Sequence, residues 1–351
     1  MAEKILRWGV ISTANIGRVA VLPALQRSSN GELVAVASRD EEKARTFAGK
    51  LGIPRAYGSY EALLAAEDID AVYIPLPNSL HREWTIKAAE AGKHILCEKP
   101  LALDAAECEE MEAAAQQHGV VFMEAFMYRF HPQTEKVLQL VQSGAIGEPR
   151  LIYAAFTFRL TNPENIRLMP ELGGGSLMDV GCYCVNIIRT VAGAIPGAGE
   201  PVEVQAYANW GKTGVDEEMT GALRFANGLL AQFSCGLTLE RREFYQVAGP
   251  EGHLDVQSAF LPGTGDTTIY EHHGREGSVA HEIPGVDEYQ LMAEHFADCV
   301  LSGTPVRYPP AEAASGMRVI EALYRSARDG GRPESISSPL WDASRAKGMG
   351  C

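Results

Sequence analysis

The stretch of this 351-residue chain that first suggests chemistry is Cys97-Glu98-Lys99-Pro100, a charged pair closing the apolar run His94-Ile95-Leu96-Cys97. Glu and Lys are mostly solvated, so the pair alone reads as a surface turn where a strand leaves its sheet. At the carboxyl end of a strand in a parallel sheet, where ligands bind, the same lysine reaches a bound nicotinamide and the carbonyl or hydroxyl of a substrate. Asp179 and Tyr183 form a second constellation: four apart, they project from one face of a helix. They follow Gly173-Gly174-Gly175, where missing side chains allow backbone to approach a ligand. A third grouping is Ser38-Arg39 with Lys43 one helical turn on and no acidic residue at the ribose position. An acid there would accept from the 2′-hydroxyl of NAD, whereas an arginine accommodates the 2′-phosphate of NADP. The grouping therefore points to NADP, with NAD possible.

These residues need a scaffold, and the first third of the chain supplies an alternating one. Leu6–Ile11 reads as a buried strand, and Ser12-Thr13-Ala14-Asn15-Ile16-Gly17 opens a helix where a dinucleotide fold carries G-x-G-x-x-G. Ser12 and Ala14 replace the first two glycines and Gly17 survives. Ala14 is small enough for close approach to a pyrophosphate, and Ser12, Thr13 and the helix N-terminus offer donors to an anion. A capped helix start without a ligand would use the same residues. Leu33–Ala37 is a second strand, and Asp40 the N-cap of the next helix. Ala71–Pro75 is another strand, ended by Pro75-Leu76-Pro77-Asn78, whose prolines make a rigid shelf for an adenine or nicotinamide ring. A helix from His81 to Gly92, the strand ending at Cys97, a helix from Asp104 to His118 and the strand Val120–Met123 complete the series. Strands alternating with helices imply a parallel sheet with right-handed crossovers. In that frame Ser12, Thr13, Ala14, Asn15, Ile16, Ser38, Arg39, Lys43, Pro75, Leu76, Asn78, His81 and Glu98 are candidates for the cofactor.

Past Met123 the rhythm changes. Glu124-Ala125-Phe126-Met127-Tyr128-Arg129-Phe130-His131-Pro132 mixes aromatics, a cation and an imidazole, which suits a linker passing a binding site. Arg129 and His131 are candidates for nicotinamide or substrate, or for an ion pair at a domain hinge. From Val202 to Ile283 apolar alternation recurs, as in Ala231, Phe233, Cys235 and Leu237, with a hairpin signal at Ala226-Asn227-Gly228. This reads as an antiparallel sheet, apolar on one face and partly on the other, and the second face suggests a homodimer surface. Val286–Leu301 and Ala311–Arg328 read as closing helices, and Ser337 onward as an extended tail.

Composition narrows the partners. A formal net charge of −14 argues against nucleic acid and an anionic membrane, though a local basic pocket for a small anion is compatible with it. No apolar run reaches the roughly 20 residues of a membrane span, and no signal peptide precedes the first strand. Seven scattered cysteines with no metal-site spacing read as buried reduced thiols of a cytoplasmic protein.

Together, Cys97-Glu98-Lys99-Pro100, the Glu124–Pro132 run and Gly173-Gly174-Gly175-Ser176-Leu177-Met178-Asp179-Val180-Gly181 resemble the Gfo/Idh/MocA oxidoreductase family in order and spacing. The resemblance covers about residues 5–330. It implies an α/β fold: a Rossmann parallel sheet (1–124), then a substrate-binding and dimerisation domain with an open, mostly antiparallel sheet (125–335) and a tail (336–351). It also implies hydride transfer between NAD(P) and a sugar or polyol. Tyr183 stands where much of the family carries histidine, and this resembles the branch of NADP-dependent D-xylose and glucose dehydrogenases, glucose-fructose oxidoreductase and dimeric dihydrodiol dehydrogenase. The Trp8-Gly9 start, the Phe126–His131 run and the replaced glycines also resemble that branch.

On this basis Lys99, Asp179 and Tyr183 are expected to be catalytic and no metal is expected. Lys99 places charge beside the reacting oxygen, and Tyr183 is the acid/base. A phenol titrates at about pH 10, and a nearby ammonium is expected to lower that value. Asp179 orients Lys99 or a sugar hydroxyl, and Glu98 sits at the nicotinamide ribose. The expected activity is aldose dehydrogenation, such as D-xylose or D-glucose at C1. Alternatives on the same site are dihydrodiol dehydrogenation or sugar-ketone reduction, and a non-catalytic NADP-responsive binding protein is the alternative of another class. Pocket shape is expected to depend on the loops 159–172 and 240–244.

Overall fold

The computed structural model describes residues 4–336; the expected tail and Cys351 lie outside the described residues. Six short strands, β1 (Leu6–Ile11), β2 (Gly31–Ala37), β3 (Arg55–Tyr57), β4 (Ala71–Ile74), β5 (His94–Cys97) and β6 (Phe122–Glu124), form one sheet in the order β3-β2-β1-β4-β5-β6. Every pairing in it is parallel. The central strands are apolar but for Arg7 near the start of β1, because helices cover both faces, and Trp8, Tyr73 and Leu96 are fully buried. Strand order reverses between β1 and β4, which opens a crevice beyond their carboxyl ends. The edge strand β3 lacks an apolar run, and no sequence pattern announces it. Asp40 caps the helix Glu41–Leu51 by accepting from Lys43 N at 3.0 Å, and Asp104 caps Ala105–Gln117 through Glu107 N at 2.8 Å.

The second sheet has nine strands: β7 (Leu151–Arg159), β8 (Pro201–Trp210), β9 (Asp216–Phe225), β10 (Leu230–Gly236), β11 (Thr238–Ala248), β12 (His253–Gln257), β13 (Thr267–His272), β14 (Ser278–Ile283) and β15 (Glu334–Ser335). Their order is β14-β13-β12-β11-β7-β10-β9-β8-β15, and only β7 with β10 is parallel. The register aligns Ile269, Val256, Tyr245, Ala154, Phe233, Gly221 and Ala206 in one row across seven strands. The side chains in that row are wholly buried, beneath the helices Cys182–Gly193 and Ala311–Arg328. Gly221 is required there, since a Cβ would lie 2.6 Å from Phe233. Residues one step out of phase face the other way and bring Tyr153, Tyr207, Leu230, Phe244 and Tyr270 onto the open face.

The helix Glu288–Ser302 returns to the first sheet, where Phe296 packs on Trp8 with ring centroids 5.1 Å apart. The Glu124–Pro132 segment leaves β6 and contains a buried short helical turn, Met127–Phe130, and Met127 lines the cleft. Among the described residues no helix is long and apolar enough to cross a membrane.

Candidate functional site

β1 ends at Ile11 and the next residue, Ser12, has φ 128°, a conformation that normally favours glycine. Three contacts hold it: its N–H donates to Ala37 O (3.1 Å), its hydroxyl donates to Pro75 O (3.2 Å), and that oxygen accepts from Ala14 N (3.0 Å). The tips of β1, β2 and β4 are thus tied through one strained serine. Strain of this kind, of order 1–3 kcal/mol, persists where surroundings over-determine it and clusters at binding sites. The helix that follows begins with a wide π turn, Gly17–Val21, and its first N–H groups have no intrahelical acceptor. At the β2 tip Ser38 is buried while Arg39 and Lys43 are exposed at the rim. Asp40 beside them accepts from Lys43 N as the helix cap. These donors fit a phosphorylated dinucleotide.

One cleft of about 840 Å³ gathers Ser12, Thr13, Ala14, Asn15, Ile16, Ser38, Arg39, Lys43, Pro75, Leu76, Asn78, Glu98, Lys99, Asp179 and Tyr183. Two expected cofactor contacts are not among its lining residues. His81 is completely buried, its ring nitrogens 3.0 Å from Pro100 O and 2.8 Å from Leu76 O, and burial pushes its pKa down to about 4. It stands behind the β4 and β5 tips and positions them. Arg129 is buried in an ion pair with Glu312 (2.8 Å), its guanidinium 3.4 Å from the Tyr308 ring centroid. His131 accepts from Gln133 N at 3.1 Å and caps the helix Pro132–Gln142. The ion pair of Arg129 thus lies within residues 125–335, His131 serves as a helix cap, and neither residue lines the cleft.

The catalytic candidates meet on the opposite wall. The Lys99 ammonium donates to the main-chain oxygen of Asp179 at 2.8 Å, lies 3.6 Å from its Oδ1, and sits 4.7 Å from the centre of the Tyr183 ring. Arg167 Nε donates to Asp179 Oδ2 at 2.6 Å. Burial opposes the charge on Asp179, but Lys99 and Arg167 outweigh it and hold the carboxyl below its usual range. Glu98 is also buried and is pushed up by that burial against the pull of Lys99; its Oε1 accepts from the Tyr73 hydroxyl at 2.6 Å.

Tyr183 departs from expectation. Its pKa is raised well above the ordinary value, by burial first and by Tyr289 and Glu98 after it. The reason is geometric. Lys99 faces the ring, while the hydroxyl points to Met127 Sδ at 3.6 Å among Phe126, Phe156 and Phe260. Tyr183 is therefore a protonated phenol here, a donor rather than a phenolate.

Both Asp179 and Tyr183 do face one cleft, although their helix begins with a π turn, Leu177–Gly181, before Cys182–Gly193. Asp216 fixes that start: it accepts from Ser176 Oγ and Leu177 N, both at 2.7 Å, and from the Tyr324 hydroxyl at 2.8 Å. The triple glycine lines the cleft, where backbone is open to a ligand, and is also packed closely against its neighbours. A Cβ on Gly175 would lie 2.2 Å from Asp216 Oδ1, and one on Gly174 2.5 Å from Arg167 O.

Sequence reading missed Arg167, Asn162 and Asn165 as individuals, though their loop was named for pocket shape. It also missed Phe156, Phe158 and Tyr289, which line the cleft as aromatic walls. Polar loop residues and strand-end aromatics carry no periodic signal that separates them from solvent or core.

Comparison with known proteins agrees with this geometry. Residues 6–126 match the model of the GFO/IDH/MocA oxidoreductase family, NAD-binding Rossmann fold, and residues 134–255 its C-terminal domain. The chain is 41% identical to a D-xylose 1-dehydrogenase (NADP(+)) of Haloferax volcanii, over 94% of this chain and 99% of that protein. It is 34% identical to a trans-1,2-dihydrobenzene-1,2-diol dehydrogenase of Xenopus tropicalis, over 85% and 90% respectively. A solved 3-ketoreductase from Actinomadura kijaniata, in complex with NADP and TDP-benzene, superposes with TM-score 0.86 at 31% identity, covering 92% of this chain and 98% of that one. An aldose-aldose oxidoreductase from Caulobacter crescentus, complexed with glycerol, gives 0.85 at 30% identity, covering 95% and 100%.

Proposed function

The chain belongs to the GFO/IDH/MocA oxidoreductase family, and we propose that it is an NADP-dependent dehydrogenase of aldoses, acting on the C1 hydroxyl of a sugar such as D-xylose or D-glucose. In this reading residues 1–124 bind NADP and 125–335 bind the sugar. The observation that carries it is the convergence of Lys99, Asp179 and Tyr183 on the wall facing a nucleotide groove whose β2 tip offers Ser38, Arg39 and Lys43. The substrate end suits a neutral polyhydroxyl compound. Phe156 and Phe158 offer faces to sugar C–H groups, and Asn162 and Asn165 offer paired donors and acceptors. Its charges are largely matched internally, Arg167 and Lys99 with Asp179, and Arg241 with Glu243.

NADP, when bound, supplies the hydride acceptor or donor. The chain's own residues do the rest. Ser12, Asn15 and the helix N-terminus hold the diphosphate, and Arg39 with Lys43 reads the 2′-phosphate. Lys99 stabilises negative charge on the reacting oxygen. Tyr183 passes a proton to or from that oxygen. Its raised pKa makes the resting site the protonated form, ready to donate to a carbonyl; in the oxidative direction the phenol first gives its own proton to solvent, and the resulting phenolate oxygen then takes the hydroxyl proton as hydride leaves C1.

The test is turnover of purified protein with NADP or NAD against D-xylose, D-glucose and a trans-dihydrodiol, read by reduced-nicotinamide absorbance. An aldose turned over with NADP to its lactone is the expected result. Dihydrodiol turnover alone would reassign the substrate, and NADP binding without turnover of any compound would leave the non-catalytic reading.

A homodimer joined through the open sheet face is part of the proposal. Tyr207, Leu230 and Tyr270 are 57%, 49% and 43% exposed there, more apolar surface than water favours. Solution mass by light scattering should give twice the chain mass; a monomer at micromolar concentration would refute it. The six described cysteines are free and buried, which suits a reducing cytoplasm.

A further inference from the structure

Asp179 is shared by two cations, and they do not hold it alike. Arg167 Nε lies 2.6 Å from Oδ2, whereas the Lys99 ammonium is 3.6 Å from Oδ1 and instead donates to the Asp179 main-chain oxygen at 2.8 Å. The carboxylate's close partner is therefore the arginine. We propose that Arg167 is a positioning residue, whose grip on Asp179 keeps the Lys99 ammonium over the Tyr183 ring and available to the substrate oxygen. The proposal rests on the reading of Lys99 and Tyr183 as the groups that act on that oxygen.

Arg167 is set in place before any ligand arrives. Its main-chain oxygen accepts from Gly175 N at 2.9 Å, in a contact so close that Gly174 has no room for a Cβ. Its guanidinium lies 5.9 Å from the Phe158 ring centroid, on the sheet side of the cleft. Main chain and side chain thus both tie the 162–172 loop to the start of the catalytic helix. Without the guanidinium, Asp179 would be a buried carboxylate with Lys99 as its single cation. Buried opposite charges attract strongly at short range, so the ammonium would close on Oδ1 and leave its place above Tyr183. The groups facing Asp179 are Lys99 and Glu98 from the β5 tip, Arg167 from the loop, and Cys182 from its own helix, with Tyr183 beside Arg167 and Lys99. Two cations against Glu98 keep Asp179 ionised; one cation would do so less well.

The experiment compares the parent with Arg167→Met, Arg167→Lys and Lys99→Met, each with NADP and the aldose the parent turns over. Arg167→Met should lower kcat by roughly 10–100-fold, the scale of a misplaced catalytic group, with NADP affinity unchanged. The acidic limb of its kcat profile should move to higher pH, because Asp179 now protonates more readily. Arg167→Lys, which restores charge without the planar fork, should return the limb toward the parent's position and recover part of kcat. A kcat within about threefold of the parent and an unmoved limb in Arg167→Met, while Lys99→Met is inactive, overturns this inference alone. Parental kcat in Lys99→Met overturns the underlying reading of the site as well. If Arg167→Met does not fold, Arg167→Gln, which keeps donor groups and removes the charge, must show the same limb movement; an unmoved limb there also overturns the proposal.

Discussion

Lys99 stands between two walls, and each wall offers it a buried carboxylate in a different electrostatic state. On the parallel-sheet side Glu98 is pushed up by burial, with Lys99 as its main relief and the Tyr73 hydroxyl as a neutral partner. On the opposite wall Asp179 meets the same burial but is held low by Lys99 and Arg167 together. A third carboxyl, Glu124 at the end of β6, has no ion-pair partner among the described residues; burial raises it to about 7, against a main-chain donor at Leu101 and the more distant Arg129 and Arg189. Burial penalises charge in all three, and the number of close cations decides the outcome. Of the two carboxyls in the cleft, Asp179 is therefore held toward its charged form and Glu98 is pushed toward its neutral one.

The largest effect that could break this comparison is at the phenol that both walls enclose. Tyr183→Phe removes one oxygen and keeps the packing, so the fold and NADP binding should survive while turnover falls by roughly 10²–10⁴-fold. Lys99→Met should fall at least as far, and the double variant should cost much less than the product, because groups acting together are non-additive. Turnover of Tyr183→Phe within about threefold of the parent would mean that the residue is only packed.

Next in size is a direct contrast of the two walls. Asp179→Asn removes the charge that spaces two cations and should lower kcat by roughly 10–100-fold. Glu98→Gln keeps an acceptor for the Tyr73 hydroxyl and should cost clearly less. Steady-state kinetics in which Glu98→Gln is the more damaging would invert the assignment of which carboxyl supplies the working charge.

At the far end of the cleft, Arg39→Ala should cost roughly 1.5–3 kcal/mol of NADP affinity, about ten- to a hundredfold, and leave NAD little changed. Equal losses for both cofactors in calorimetric titration would remove the 2′-phosphate role.

The smallest effect concerns Glu124 and stability. Its folded pKa, about 7, is above the unfolded value of roughly 4.3. Its contribution is thus full at acid pH below the unfolded value and is lost as pH rises through about 7. Glu124→Gln does not ionise and can still accept from Leu101 N. Relative to the parent, its thermal midpoint should improve from pH 5 to pH 8. A constant difference across that range would place the ionisation elsewhere.

How much of this could be read along the chain differs between the walls. The β1–β6 alternation, the Ser12–Gly17 turn and the Ser38-Arg39 tip were legible, because strand period and turn chemistry are local properties. Asp40 and Asp104 were legible as caps for the same reason. The β3 edge was not, having no apolar run, and His81 and Arg129 looked like ligand contacts because polarity in sequence does not reveal which way a side chain is buried. The triple glycine was legible as backbone at the cleft, whereas its close packing on Asp216 and the Arg167 carbonyl was not.

The sequence by itself determined the parallel sheet, the position of Lys99 at its edge, the spacing of Asp179 and Tyr183, and the cationic β2 tip. Each of these depends on neighbours within a few residues. Tertiary structure alone decided that Lys99 meets Asp179 and Tyr183 from the far side of a cleft, that Arg167 joins them, and that the Tyr183 hydroxyl turns toward Met127 and keeps its proton. Charge state is set by burial and by the count of nearby ions, and both are sums over segments far apart in the chain.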